Sequence, residues 1–255
     1  MIFIRSAVFM VALSLVTIYY GSLGVLMYCI GAKPLTRHRW VTKWAPATMW
    51  LSHHILGIRA RVIGQENLPI GPAVIISKHQ SAWESFGLQV IFPPLCYILK
   101  RELLWIPFLG WGLASVGAIG VNRKAGKDAL SQVITQGRER LKDGLWVAIF
   151  PEGTRTAPGV RGRFRPGGAF LAKRAGVPIV PVAHNAGEFW RRQAFLKHPG
   201  EIIVSIGPVI EAKGTKAEEL NQRARDWIEN EMTRLFPHHF KDGEQEQAAD
   251  KEETL

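Results

Sequence analysis

Hydrophobic positions fall into three regimes along the chain. The first is unbroken: from Ser6 to Ala32 run 27 residues without a charge, rich in Val, Leu, Ile, Phe and Tyr. A helix rises ~1.5 Å per residue, so this stretch is long enough for ~30 Å of hydrocarbon and is expected to enter a membrane. A cleavable signal peptide fits less well, because Tyr19 to Cys29 continue the apolar run where a small-residue cleavage site would fall. Gly21 and Gly24 leave a hairpin or an in-plane helix open beside a straight crossing. The second regime, residues 40–56, places Trp40, Trp44, Trp50, Leu51 and Ile55 at near-helical spacing among Lys43, His53 and His54. That predicts an interfacial helix with its indoles at headgroup level. A core helix of the following domain fits the same periodicity.

Beyond residue 58 short β-branched runs alternate with longer periodic ones. Strands are expected at 59–63, 73–77, 95–99, 118–121, 146–150, 178–182 and 202–206, and helices at 81–91, 103–116, 127–141, 168–175 and 216–235. The alternation predicts an α/β fold, a single domain with a central mixed sheet flanked by helices. The expected organisation is a membrane-anchoring segment over 1–57, the α/β domain over 58–240, and an acidic tail over 241–255 polar enough to be disordered.

Composition and charge narrow the partners. With 47% hydrophobic and 21% charged residues the chain buries a sizeable core, which excludes collagen-like and disordered classes. Cys29 and Cys96 lack metal-type spacing, so a zinc finger is excluded and a reducing compartment is expected. The net charge of +11 becomes +15 over residues 1–240, because the tail carries −4. That excess calls for an acidic partner: anionic headgroups, a phosphorylated substrate, an acidic carrier protein or nucleic acid. The apolar N-terminus argues against nucleic acid. Arg5 alone precedes the apolar run whereas Lys33, Arg37, Arg39 and Lys43 follow it, so the positive-inside rule places the rest of the chain in the cytoplasm.

Candidate chemistry gathers after the strands. Strand 73–77 runs into Lys78-His79-Gln80-Ser81-Ala82-Trp83-Glu84. Five positions of continuous helix would splay His79 and Glu84 by about 140°. They meet only with His79 on the loop and Glu84 in the first helical turn, where the carboxylate would fix the imidazole tautomer and leave the other nitrogen as a general base. Ser81-x-x-Glu84 also reads as a capping box, in which Glu84 merely satisfies backbone at the helix start. Strand 146–150 runs into Phe150-Pro151-Glu152-Gly153-Thr154-Arg155, where glycine permits close approach and Arg155 offers a fork of donors to a phosphate; a solvated turn is the bland alternative. Lys78, Lys100, Arg101 and Arg123 each sit at or just past a strand end, the edge where open α/β sheets bind ligands, which suggests a phosphate pocket. His53, His54 and His184 belong to no evident ligand set, so no metal is expected.

Four ordered blocks, the two above with Gly117-Ala118-Ile119-Gly120-Val121-Asn122-Arg123 between them and Val177-Pro178-Ile179-Val180-Pro181-Val182 after them, carry a resemblance over about residues 58–210. The chain resembles the 1-acyl-glycerol-3-phosphate acyltransferase family of membrane glycerolipid acyltransferases. The run Leu99-Lys100-Arg101-Glu102-Leu103-Leu104-Trp105-Ile106-Pro107 looks like the family as well. One departure stands out: the family's first block pairs His with Asp, and here the acid is Glu84, one methylene longer.

The resemblance implies transfer of a fatty acyl group from acyl-CoA or acyl-carrier protein to the free hydroxyl of lysophosphatidate, with no cofactor. His79 would be the base and Glu84 its orienting acid, while Lys100, Arg123, Glu152, Gly153, Thr154 and Arg155 would hold the substrate phosphate. It implies a bilayer partner, the inner membrane as location and a cytoplasmic catalytic face. Arg161, Arg163 and Arg165 would meet an acidic carrier protein or the phosphates of coenzyme A, or form a solvated basic loop. The alternatives are another lysolipid acceptor, a membrane-anchored lipid hydrolase using His79 with water or Ser81, or a basic lipid-binding module without catalysis.

Overall fold

A computed structural model describes residues 1–92, 94–122 and 125–240, so Arg123 and the acidic tail lie outside the described residues. All seven expected strands form: β1 (Ile58–Ile63), β2 (Val74–Ser77), β3 (Leu95–Lys100), β4 (Ile119–Val121), β5 (Trp146–Ile149), β6 (Ile179–His184) and β7 (Gly200–Ile206). They make one sheet in the order β1-β7-β6-β2-β5-β3-β4. Neighbours are parallel throughout except β6 and β7, which makes the sheet mixed. Continuous apolar runs such as β2 and β6, buried along their whole length, suit a sheet covered on both faces.

The helices are α1 (Ile2–Cys29), α2 (Pro34–Val41), α3 (Trp44–Leu51), α4 (Glu84–Ile91), α5 (Leu109–Ser115), α6 (Lys127–Lys142), α7 (Gly167–Ala175), α8 (Ala186–Phe189) and α9 (Ala217–Leu235). One core lies between the sheet and α6, α7 and α9, with Leu171, Leu220 and Ile228 fully buried. A second, holding Phe9, Trp83, Leu88 and Trp190, joins the opposite face to α1, α3 and α4.

Residues 103–116 were expected as one helix, and the structure divides them. Pro107 has no N–H and pushes Ile106 to an extended backbone (φ −70°, ψ 121°), so a 3-10 turn (Arg101–Trp105) stops there. Phe108 then adopts φ 62° and ψ −58°, a γ-turn closed by Leu109 N–H to Pro107 O at 2.7 Å, before α5 starts. Residues 40–56 present one face to the core and another outward. Ala45, Thr48, Ser52 and Leu56 are buried along α3 and the π-helical turn that continues it, while Trp40 and Trp50 face outward.

Helix α1 is apolar enough to cross a membrane, with a mean hydropathy of 2.0 over its best window, yet it lies against the domain from end to end. Ser6 Oγ accepts the Lys197 N–H at 3.0 Å, and Phe9 packs edge-on to Trp190. Farther along, a Cβ on Gly21 would stand 2.2 Å from the Phe108 carbonyl, and one on Gly24 would stand 2.5 Å from Ser115 Oγ. These two glycines seat α1 on α5 rather than break it. The rest of the helix surface is exposed and apolar: Phe3, Ile4, Val11, Leu15, Ile18 and Leu26 all face outward.

Candidate active site

The loop between β2 and α4 carries His79 at the C-terminal edge of the parallel strands, and Glu84 opens α4. The expected meeting occurs: His79 Nδ1 hydrogen-bonds Glu84 Oε1. The capping role occurs with it, because the same carboxylate accepts the Ser81 N–H at 3.1 Å and the Gln80 N–H at 3.2 Å, while Ser81 Oγ accepts the Trp83 N–H at 3.1 Å. The two readings of this segment are therefore one arrangement. The helix begins at Glu84 rather than at Ser81: Ala82 and Trp83 bend into it, Trp83 already at φ −55° and ψ −39°, while the Gln80 and Ser81 N–H groups before the bend turn to the carboxylate.

A third side chain completes it. His184, at the end of β6, lies with Nε2 2.7 Å from Glu84 Oε2 and 2.9 Å from the Lys78 carbonyl, and its Nδ1 accepts the Ala186 N–H at 3.3 Å. Accepting at Nδ1 leaves the ring proton on Nε2, between the Lys78 carbonyl and Glu84 Oε2. From sequence His184 had no part in the site, and the structure places it there. Its partners are set by β6 lying beside β2, with Ser77 opposite Val182, an adjacency between strands 100 residues apart. The available signal was a histidine ending a predicted strand at the ligand-binding edge. Glu84 and His184 are both fully buried. Burial pushes the Glu84 carboxyl up, but the facing His79 and His184 rings outweigh it and bring it down to about 2.

The loop after β5 pins His79 from both sides. Glu152 Oε2 accepts the His79 N–H at 2.7 Å, and Thr156 N–H donates to the His79 carbonyl at 2.8 Å. Glu152 also pairs with Lys78, whose Nζ reaches the Val160 carbonyl at 3.0 Å. Lys78 and Glu152 are thus buried and mutually neutralised. The structure places Glu152 against the histidine loop, its carboxylate shared between Lys78 Nζ and the His79 N–H. Gly153 takes φ +72° to close the turn with its N–H on Phe150 O, a conformation that L side chains rarely adopt.

His79 remains 13% exposed, with its ring stacked on Phe150 at 4.1 Å. It opens into a cavity of about 280 Å³ walled by Leu13 and Thr17 of α1, Trp44, Phe86, Leu113 and, as the cation, Arg155. Thr154 is exposed, and Lys100 ends β3 in solvent 3.9 Å from Glu102, outside that wall. A neighbouring cavity of about 310 Å³ is lined by Gly153 and Arg165. Glu188, His238 and His239 form a separate group in which both rings approach one Glu188 oxygen. A partly buried imidazole held by a carboxylate, open to an apolar groove with one cation, is equipped to deprotonate a hydroxyl on an amphiphile.

Comparison with known proteins agrees. Residues 59–185 match the acyltransferase family profile. The chain is 45% identical over 239 residues to the 1-acyl-sn-glycerol-3-phosphate acyltransferase of Pseudomonas aeruginosa, covering 92% of each. It is 34% identical to the enzyme of that name from Saccharomyces cerevisiae, covering 71% of this chain and 59% of the yeast one. The fold matches the crystal structure of the 1-acyl-sn-glycerophosphate acyltransferase PlsC from Thermotoga maritima with a TM-score of 0.75 and 22% identity, over 92% of this chain and 98% of that one. The protein is an acyltransferase of α/β fold. More narrowly, the chain belongs to the 1-acyl-sn-glycerol-3-phosphate acyltransferase family.

Proposed function

We propose that this enzyme acylates the free hydroxyl of 1-acyl-glycerol-3-phosphate from an acyl thioester, acyl-CoA or acyl-carrier protein, to give phosphatidate. The observation that carries the reading is His79 anchored through Nδ1 to Glu84 at the mouth of an apolar cavity that also holds Arg155. With its proton on Nδ1, the ring presents Nε2 as a base. Nε2 takes the hydroxyl proton as the oxygen bonds to the thioester carbonyl, and Glu84 stabilises the imidazolium. Collapse of the tetrahedral adduct breaks the C–S bond, and the proton passes from His79 to the leaving thiolate. No acyl-enzyme forms. Ser81 is fully buried with its Oγ accepting the Trp83 N–H, which disfavours a serine hydrolase.

Arg155 and Arg123 pair with the acceptor phosphate, while Leu13, Phe86 and Leu113 receive acyl chain. Residues 1–57 serve as the anchor and 58–240 as the catalytic domain, on the cytoplasmic side of the inner membrane. The docking of α1 along the domain supports a helix lying within one leaflet over one that crosses.

The test is phosphatidate formation by the full-length protein in membranes with labelled acyl donor, with and without lysophosphatidate. His79→Ala should lose ~10²–10⁴-fold in kcat with folding intact. Arg155→Ala should raise the KM for the acceptor about tenfold to a hundredfold, the loss of one charge-assisted hydrogen bond. Free fatty acid released without acceptor, or full activity in His79→Ala, overturns the reading.

A further inference from the structure

A cavity of about 520 Å³, larger than the two beside the candidate site, lies at the other edge of the sheet. Its wall is the first turn of α2, the end of α5 and the end of α6. Leu145 lines it while Phe150 lines the His79 cavity, so along the sheet the two lie ~16 Å apart at ~3.3 Å per residue, with α5 touching the His79 cavity through Leu113 and this one through Ala114. The proposed acyl transfer makes no use of it.

Three cations converge there. Arg37 is tethered by Nε to the Ser115 carbonyl at 3.2 Å and by Nη1 to the Ala32 carbonyl at 2.7 Å, with its guanidinium carbon 5.2 Å from the Tyr28 ring centre. Arg140 is tethered by Nε to the Gly117 carbonyl at 2.9 Å. Each tether uses only part of the fork and fixes a guanidinium at the cavity wall at little further entropy cost. Lys33 adds a third charge, and Asp143 is the one acid in the lining. His38, also in the wall, is buried and bonded to the Leu95 carbonyl.

The setting identifies the ligand. The cavity sits at the C-terminal end of α1, beside an outward apolar surface where Tyr28, Ile30 and Leu35 are 67%, 70% and 56% exposed and Lys43 lies over Trp40. A phosphate held there has hydrocarbon alongside it, and α1 forms part of the His79 groove as well, so a bilayer meeting this helix reaches both. We propose that this cavity binds the phosphate of an anionic membrane phospholipid, at a site separate from the acylation groove, through Arg37, Arg140 and Lys33. Occupancy fixes the depth and rotation of α1 in the headgroup layer. The assignment does not depend on which residue performs the acyl transfer.

The test measures thermal stabilisation of the full-length protein in neutral detergent micelles titrated with phosphatidylglycerol, with phosphatidylcholine of the same chains, or with inorganic phosphate. Phosphatidylglycerol should act at about tenfold lower mole fraction than phosphatidylcholine. Arg37→Gln and Arg140→Gln should each weaken it about tenfold, as for a lost charge-assisted contact, and Lys33→Gln about threefold to fivefold. Lys33 makes no side-chain bond among the described residues, so its variant reports on binding even where an arginine variant unfolds. Arg39→Gln, on the same helix outside the cavity, and Arg155→Ala, in the groove, should keep the parent midpoint. An equal loss in Arg39→Gln would reduce the effect to general basicity, and an unchanged midpoint in Lys33→Gln and both arginine variants would remove the site. Full stabilisation by millimolar inorganic phosphate would assign the cavity to a soluble phosphoryl compound and overturn the lipid assignment.

Discussion

Glu84 keeps its charge with no solvent contact because four donors surround it: the His79 and His184 rings and the Gln80 and Ser81 N–H groups. One carboxylate oxygen turns to each histidine. Two consequences are measurable. Its carboxyl, held at about 2 against 4.5 when free, binds a proton more weakly folded than unfolded. Its contribution to stability is therefore complete above pH 4.5 and is given up as pH falls toward 2. Melting temperature recorded against pH should drop less steeply below 4.5 in Glu84→Gln than in the parent. The second consequence concerns kcat. His184→Phe removes the donor to Glu84 Oε2 and should lower kcat with little change in KM, whereas His184→Gln, which keeps an N–H at that reach, should recover much of it. In a Glu84→Gln background the His184→Phe loss should largely vanish, since residues acting through one another are not additive. Equal losses in both His184 variants would mean that the residue only fills space.

Among the elements, the union of α1 with α5 rests on close backbone approach. The γ-turn at Phe108 delivers its carbonyl to the spot where Gly21 has no Cβ, and Gly112 lies against the same helix turn. Gly21→Leu should cost roughly 1–3 kcal/mol by overpacking, read as a lower melting temperature, and should lower activity by parting the groove wall. A substitution at Gly31, which has open space around its Cβ position but φ +70°, would strain only its own turn. These elements show how far the sequence could be read. All seven strands and the run into α4 were legible from the short apolar runs, as was the meeting of His79, past a strand end, with Glu84 at the helix start. The γ-turn was not, because Pro107 announces a break without giving its direction. Nor were His184 beside Glu84 or the inward turn of Lys78 and Glu152, which depend on β2 lying between β6 and β5.

At the scale of the molecule, the apolar outer surface of α1 and the cations that follow it lie on separate stretches of the chain. The cations after α1 predict a cytoplasmic orientation, in which fluorescent protein fused after Leu255 should glow whereas alkaline phosphatase at the same point should stay inactive. An active phosphatase would reverse the orientation. The long apolar helix was plain in the sequence, but its seat along the domain was not, since nothing in an uncharged run distinguishes the residues that touch protein from those that touch lipid.

That seat changes what removing the anchor would mean. Leu13 and Thr17 stand in the same wall as His79 and Arg155, and Phe9 fills a core position against Trp190. Cutting the chain at Lys33 would not release a soluble enzyme from its tether. It would take one side off the substrate groove and open the second core to water, so a shortened form should aggregate and fail to turn over even short-chain, water-soluble substrates.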